Sequence, residues 1–300
     1  MSEDPRVLLS KAEKAAQSAK GGWGFFGPGE EKWEKAVELF KQAAAAFRKA
    51  DQGKEAGQAF ERAASVQRIN LKEPDDAAST LMDAFKCYRM SEPTDAARVL
   101  KEAISHYETK SNFRRAASLL ENLGELCEKE LGDNRGAVEA YQRGAKYFKD
   151  DLAEALANKL YLKTADLLAL EGDYLRAVES YDIVSKSSLK NNLMMWSVKE
   201  YFLKSGICLL AAFVLAPKER VDLFYIQRSL QEYCDLDHSF TSTREYQLLV
   251  DLTKAVEDGD QEEFADKLFK YDQLSKLDKW KTTVLLRIKN GMEEKGEDFS

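Results

Sequence analysis

The chain has 300 residues and a formal net charge of −7, and its residues are 44% apolar and 32% charged. This length and apolar fraction suffice for one large or two modest folded domains, and they exclude a disordered chain. The acidic balance argues against general nucleic-acid binding, which depends on a strongly basic surface.

The beginning of the chain and its cysteines both predict a cytosolic protein. Residues 1–7, MSEDPRV, are acidic and contain no apolar segment of the kind found in secretory signals. The cysteines form no C-x-x-C pair, which favours reduced, packed thiols over a zinc site. They are Cys87, Cys127, Cys208 and Cys234. The longest apolar run, residues 207–216, has ten residues, whereas a membrane-spanning helix needs about 20.

Residues 20–33, KGGWGFFGPGEEKW, place large aromatic side chains among glycines and a proline. Each glycine costs about 1 kcal/mol relative to alanine within a helix, and proline costs more. The sequence therefore predicts an exposed hydrophobic loop over residues 20–30. Its aromatic residues are Trp23, Phe25 and Phe26. They either fold back onto the N-terminal hairpin or make contacts outside the protein.

Between residues 30 and 190 the sequence repeats itself about every 20 residues. The segments KAVELFKQAAAAF, DAARVLKEAISHY and GAVEAYQRGAKYF align without gaps. Each begins near an alanine that would let neighbouring helices approach closely. These alanines are Ala36, Ala56, Ala77, Ala96, Ala116, Ala137, Ala155 and Ala177. Helix breakers fall between the units, at Gly53, Pro74, Pro93, Gly132 and Gly172.

The repeat predicts an all-α fold, a tetratricopeptide-like solenoid of antiparallel helical hairpins over residues 1–190. Beyond residue 190 the repeat fades, and residues 191–300 predict a C-terminal helical bundle with an acidic tail. The helices expected there span about 193–216, 220–234, 243–257, 260–274 and 278–292.

The sequence carries little that predicts catalysis. His106 lies in a repeat helix and His238 in a loop, and neither has cysteines beside it that would complete a metal site. No phosphate-binding G-x-x-x-x-G-K motif is present, and GWGFFG does not follow a strand. We therefore expect a binding protein that is not an enzyme and needs no cofactor.

Four blocks of sequence carry a resemblance to a known family. They are FRRAASLLENLGELCEKELGD (113–133), ANKLYLKTADLLALEGDYLRAVESYD (157–182), WSVKEYFLKSGIC (196–208) and LDKWKTTVLLRIK (277–289). Through them the chain resembles the alpha-type soluble NSF attachment proteins over essentially its full length. The resemblance implies an adaptor that binds assembled SNARE complexes, recruits and stimulates the hexameric ATPase NSF, and so supports vesicle fusion. It also implies work at the cytosolic face of membranes, with several copies on one SNARE complex.

The resemblance also implies which residues bind. Trp23, Phe25 and Phe26 fall where the family has a membrane-contacting loop. Lys159 and Lys163 point away from the core side of their helix and match lysines that face the acidic SNARE bundle, whereas without the resemblance they are an ordinary solvated face. Further basic positions implied with them are Arg115, Lys199, Lys204 and Arg244. Ser118 is uncharged where some relatives have lysine.

For the ATPase, the resemblance implies acidic residues near the C-terminus. They are Glu257, Asp258, Glu293, Glu294, Glu297 and Asp298. The family ends with a leucine at or next to the terminus, and this chain has Phe299 in the penultimate place. Phe299 either takes the leucine's role or is an idle terminal residue.

A different class of function remains open. A generic tetratricopeptide-like scaffold that captures peptide tails would explain the repeat. It would leave the aromatic loop and the acidic tail without a role.

Overall fold

The computed structural model describes residues 3–20, 28–191 and 194–297, and within these ranges it contains only helices, turns and connecting segments. The helices up to residue 150 are α1 (Pro5–Lys20), α2 (Pro28–Lys49), α3 (Gly53–Val66), α4 (Pro74–Ser91), α5 (Pro93–Thr109), α6 (Phe113–Leu126) and α7 (Asn134–Asp150). The others are α8 (Glu154–Glu171), α9 (Tyr174–Ser188), α10 (Val198–Leu215), α11 (Leu223–Leu236), α12 (Arg244–Asp258), α13 (Gln261–Leu274) and α14 (Lys279–Glu297). The predicted all-α fold is confirmed.

Short π and 3₁₀ segments complete the description. The π-helical segments Gln67–Leu71 and Cys127–Leu131 extend α3 and α6, and the 3₁₀ segments are Met195–Ser197, Pro217–Glu219 and His238–Ser242. The chain divides into two compact units, Met1–Asp151 and Leu152–Ser300. The domain boundary near residue 190 was inferred from the fading of the sequence repeat and stays a prediction.

In the first unit each helix packs against the next, as expected for hairpins joined by short turns. The predicted breakers lie at the helix ends. Pro74 and Pro93 occupy the first positions of α4 and α5, where a missing backbone N–H costs nothing. Gly132 has φ +63°, a left-handed conformation that glycine adopts without strain.

The repeating alanines explain why the helices pack closely. Those in the first unit (Ala36, Ala56, Ala77, Ala96, Ala116 and Ala137) are all buried, most of them with no exposed surface. Two glycines allow an even closer approach, because the ring of Tyr88 lies over Gly57 and the ring of Tyr141 over Gly124. The hydroxyl group of Tyr88 also donates a hydrogen bond to the carboxylate of Glu61 at 2.6 Å. The hydroxyl group of Tyr141 donates one to Glu128 at 2.8 Å.

The second unit begins with the hairpin of α8 and α9, where the predicted register needs one correction. Ala155 is exposed, and Ala157, which is 2% exposed, takes the buried place instead. Two residues correspond to about 200° around a helix, so only one of the two alanines can face the core. Leu160 and Thr164 lie on the same face as Ala157, and both are fully buried.

Helix α10 forms the centre of the second unit. It packs against α9, α12 and α14, and most of its residues have no exposed surface. The ring of Phe202 stacks on Tyr233 of α11 at 4.6 Å and meets Phe240 edge-on at 5.0 Å. Gly206 lies against Leu249 of α12, where a Cβ would be 2.6 Å from a leucine methyl group. The helices predicted for this region agree with α10 to α14 within a few residues.

We predict that Gly124→Ala destabilises the protein. A Cβ at this position would lie 2.4 Å from the ring of Tyr141, which is fully buried and cannot move aside freely. Overpacking of this kind destabilises a protein by about 1–3 kcal/mol. The higher helix propensity of alanine stabilises by about 1 kcal/mol, so we expect a net loss of stability. Urea unfolding measures the change.

Gly29→Ala is the matched control for this substitution. Gly29 lies in the first turn of α2, and a Cβ added there would meet nothing within 4 Å. The free energy of unfolding should therefore be unchanged or slightly raised. Equal stability of the two variants would contradict the close contact.

Candidate functional site

Lys159 and Lys163 lie one turn apart on α8, on the side away from its core residues. Lys159 is exposed and Lys163 is half-buried. Both lysines take part in interactions within the chain, so a partner would have to exchange those contacts for its own. The geometry thus offers two cations at the surface of a helix whose opposite face is fixed in the core.

Lys199 and Arg244 come together where the first turn of α10 meets that of α12. Lys199 Nζ lies 3.0 Å from Oε1 of Glu245, a carboxylate that is only 7% exposed as a residue. Arg244 precedes Glu245 and is exposed. Glu245 is thereby neutralised by Lys199, and the Arg244 charge at this junction is left facing the solvent.

Lys204 has a different environment, although it lies on the same helix as Lys199. Its side chain is 14% exposed, and its ammonium group lies 2.8 Å from Oδ1 of Asp166. The ammonium group also lies 4.7 Å from the centre of the Trp280 ring. Lys204 is therefore held inside the second unit, whereas the side chain of Lys159 is exposed.

Arg115 belongs to the first unit and is exposed near the start of α6. Its guanidinium group lies over the ring of Tyr107, 4.7 Å from the ring centre, in a cation–π contact. Its backbone N–H is capped by the side chain of Asn112 at 3.3 Å. One turn along, Ser118 Oγ donates to the carbonyl of Arg114, so this position adds no charge to the surface.

An acidic group surrounds the turn between α12 and α13. Glu257 and Asp258, two of the acids implied by the resemblance, end α12 and are both exposed. Asp260 caps α13 by accepting from the N–H of Glu263 at 2.9 Å, and Glu262 is exposed in the same first turn. Asp260 and Glu262 are not among the acids implied by the resemblance, although the D-x-x-E pattern of Asp260 and Glu263 is a recognisable helix-capping signal. The capping places them beside the two predicted acids.

Helix α14 brings the acidic end of the chain into the second unit. It contains Glu293, which is exposed, and it continues to Glu297. Its start is anchored by Lys281, a buried lysine paired with Glu200 of α10 and, at 3.0 Å, with Asp278. Burial alone would lower the pKa of Lys281, but these two carboxylates outweigh it and leave the pKa above its usual value.

Several predicted site residues lie outside the described part of the chain. They are Trp23, Phe25, Phe26, Asp298 and Phe299, together with the side chains of Glu294 and Glu297. The structure gives only their neighbours along the chain. Helix α1 ends at Lys20 and α2 begins at Pro28, on either side of the three aromatic residues.

A cavity of about 290 Å³ with polar and apolar lining lies between α5, α6 and α7. Cys127 lines it, and burial raises the pKa of its thiol, which disfavours the reactive thiolate form. Arg143 and Glu108 pair across the cavity at 2.5 Å. Among the described residues, no cluster of His, Cys, Asp or Glu is arranged to hold a metal ion. None of the described helices has an apolar stretch long enough to cross a bilayer.

The fold and the candidate residues define an all-α helical-repeat protein with exposed basic and acidic side chains. Comparison with known proteins supplies the family. Residues 3–293 match the family described as soluble NSF attachment protein, SNAP. The chain belongs to this family.

Full-length relatives support the same assignment. The chain is 49% identical over 300 residues to a probable vesicular-fusion protein sec17 homolog of Neurospora crassa, covering 100% of both chains. It is 36% identical to an alpha-soluble NSF attachment protein of Saccharomyces cerevisiae, covering 99% of both, and 32% identical to that of Homo sapiens, covering 98% of this chain and 96% of the relative. These matches confirm the predicted adaptor function in vesicle fusion and the predicted membership of a non-enzymatic family.

Proposed function

We propose that this adaptor binds assembled SNARE complexes through its exposed basic residues and presents them to NSF at the cytosolic face of membranes. The observation that carries the proposal is the placement of Lys159 and Lys163 on the outer side of α8, in a chain that matches the family over residues 3–293. Purified components test it. The protein should retain a SNARE complex in a pull-down, and addition of NSF with ATP should then release the separated SNAREs.

The proposed SNARE contacts are electrostatic. Of the basic residues implied by the resemblance, those exposed or half-exposed are Lys159, Lys163, Lys199, Arg244 and Arg115. An acidic helical bundle would be attracted to each of them, and charge complementarity of this kind contributes specificity and association rate. Lys204 is implied by the same resemblance, but its ammonium group is held by Asp166, so we do not place it among the contacting groups.

The proposed NSF contacts are acidic and lie in the second unit. Glu257 and Asp258 are joined there by Asp260 and Glu262, which share the α12–α13 turn. Glu293 and the acids that follow it extend the acidic character along the end of α14. These carboxylates would meet a basic surface on the ATPase, and Phe299 would supply an apolar contact at the terminus.

The proposed membrane contact is made by the aromatic residues between α1 and α2. Burial of a large apolar side chain is worth about 1.5–3 kcal/mol, so three partly inserted residues supply roughly 3–6 kcal/mol. That matches the marginal anchoring given by a single lipid chain. Useful affinity would come from several copies acting on one SNARE complex, because linked weak contacts add in avidity.

We predict that Lys159→Glu combined with Lys163→Glu abolishes SNARE binding without unfolding the protein. Charge reversal sets like charges against an acidic partner, which costs several kcal/mol. Binding by the unchanged protein should weaken as salt rises, because exposed charges are screened over about 8 Å at physiological ionic strength. Pull-downs at increasing salt measure both effects.

A control for this pair is Lys146→Glu combined with Lys149→Glu, which changes the net charge equally at exposed positions of α7. It should bind SNARE complexes normally. If both double variants lose SNARE binding equally, the effect comes from the net charge and not from the position of the lysines. If the α8 variant binds SNARE complexes normally, α8 is not part of the contact.

Replacement of Trp23, Phe25 and Phe26 by serine should weaken disassembly of membrane-anchored SNARE complexes and leave disassembly of soluble complexes unchanged. The reason is that only the anchored reaction profits from apolar contact with lipid. Liposome flotation measures the contact directly. A triple variant that floats as well as the unchanged protein would show that these residues are not a membrane anchor.

For the terminus, we expect Phe299→Ala to form the ternary complex with SNAREs and NSF yet to stimulate ATP hydrolysis less. Phe299→Leu should remain active, because it restores the apolar side chain that the family carries at this end. ATPase rates at saturating adaptor, with complex formation measured separately, distinguish the two. Full stimulation by the alanine variant would assign Phe299 no role in activation.

A further inference from the structure

Asp166 of α8 accepts hydrogen bonds from three other helices of the second unit. Its Oδ1 accepts from Lys204 Nζ of α10 at 2.8 Å and from the hydroxyl of Tyr181 of α9. Its backbone carbonyl accepts from the indole N–H of Trp280, at the start of α14, at 3.0 Å. One residue therefore ties α8 to α9, α10 and α14.

Aromatic contacts fix Lys204 within this cluster. Its ammonium group lies 4.7 Å from the centre of the Trp280 ring and 5.9 Å from that of Tyr181. The two rings meet edge-on at 6.0 Å. Burial, with the Asp166 carboxylate, raises the pKa of Tyr181 well above its usual value, so its hydroxyl stays a donor. Lys204 thus combines an ion pair with cation–π contacts.

A second link joins the same two helices further along. Arg287 of α14 donates to the carbonyl of Leu170 in the last turn of α8 at 2.7 Å. Carbonyls in the last turn of a helix lack partners within the helix, and a cation is favourable there. Trp280 and Arg287 are two turns apart on α14, so the two links together set the direction of α14 along α8, which one contact alone would not.

This cluster lies between two surfaces of the proposed function. Asp166 is less than one turn beyond Lys163 on α8, which carries the proposed SNARE contact. From Trp280, α14 runs about 20 Å to Glu293, at the proposed NSF contact. The first turns of α14 are thereby fixed next to the SNARE-binding side of α8, while its far end carries the acidic residues.

We propose that Lys204 and Trp280 are positioning residues in SNARE disassembly, which with Asp166 clamp α14 onto α8 and hold the NSF-binding end in a fixed orientation to the bound SNARE complex. This inference rests on the proposed function. In this arrangement each partner binds its own surface whether or not the clamp is closed. Only the joint reaction, in which NSF acts on the SNARE complex through the adaptor, depends on the rigid connection.

The main test is Trp280→Leu, with Trp280→Phe as a milder variant that removes the N–H donor and keeps an aromatic ring. Each should bind SNARE complexes and NSF within 2-fold of the unchanged protein, and Trp280→Leu should disassemble complexes at least 5-fold more slowly. Amide hydrogen exchange of α14 in the free protein should become faster in both variants. The proposal would be overturned if Trp280→Leu supported SNARE disassembly at the rate of the unchanged protein.

Lys204 provides the comparison that distinguishes positioning from direct contact. Lys204→Met should slow disassembly as Trp280→Leu does, Lys204→Arg should restore it, and the double variant Lys204→Met/Trp280→Leu should be no slower than the slower single variant. Weaker SNARE binding by Lys204→Met, with normal binding by Trp280→Leu, would instead make Lys204 a contact residue. If the unchanged protein supports no disassembly, the proposed function fails, and unaltered hydrogen exchange in α14 separately overturns the clamp.

Discussion

The close approach of neighbouring helices at small side chains is the constraint on which the structure depends. Tyr141 is fully buried because Gly124 leaves room for its ring, and its hydroxyl reaches Glu128 from that position. Interiors at this density do not tolerate an added methyl group without displacement of neighbours. The packing therefore fixes which side of each helix faces the core, and the polar side of the helix must face the solvent.

Much of the fold follows from the sequence, because the same small residue recurs where helices must touch. Ala96 and Ala116 mark successive helices, and Pro93 marks the start of one of them. The repeat period predicts the number of helices, but it does not predict which residue in the first turn of a helix faces the core. At α8 both Ala155 and Ala157 fall near the expected position, and Ala157 is the one that shares a helix face with the buried Leu160 and Thr164.

The candidate site is predictable to a smaller extent. The outward direction of Lys159 follows from the apolar residues of its own helix, which are all local. The environment of Lys204 depends on Asp166, 38 positions earlier, and on a carbonyl contact between Asp166 and Trp280 that spans 114 positions. Sequence periodicity carries no information on such distant partners. The resemblance implies both Lys159 and Lys204 as basic positions, and among the described residues Lys159 is exposed whereas Lys204 is held by Asp166.

For the proposed acidic partner to bind, this acidic chain must keep some exposed cations apart from its own acids. The formal net charge of −7 conceals how this is done. Lys204 is paired with Asp166 and the buried Lys281 with Glu200, so these lysines stabilise the second unit instead of contributing to a surface field. Because buried charges need partners and exposed ones attract ligands, burial determines whether a lysine holds the fold together or binds. Lys159 and Lys163 can then lie at the surface of α8 although the net charge of the protein is negative.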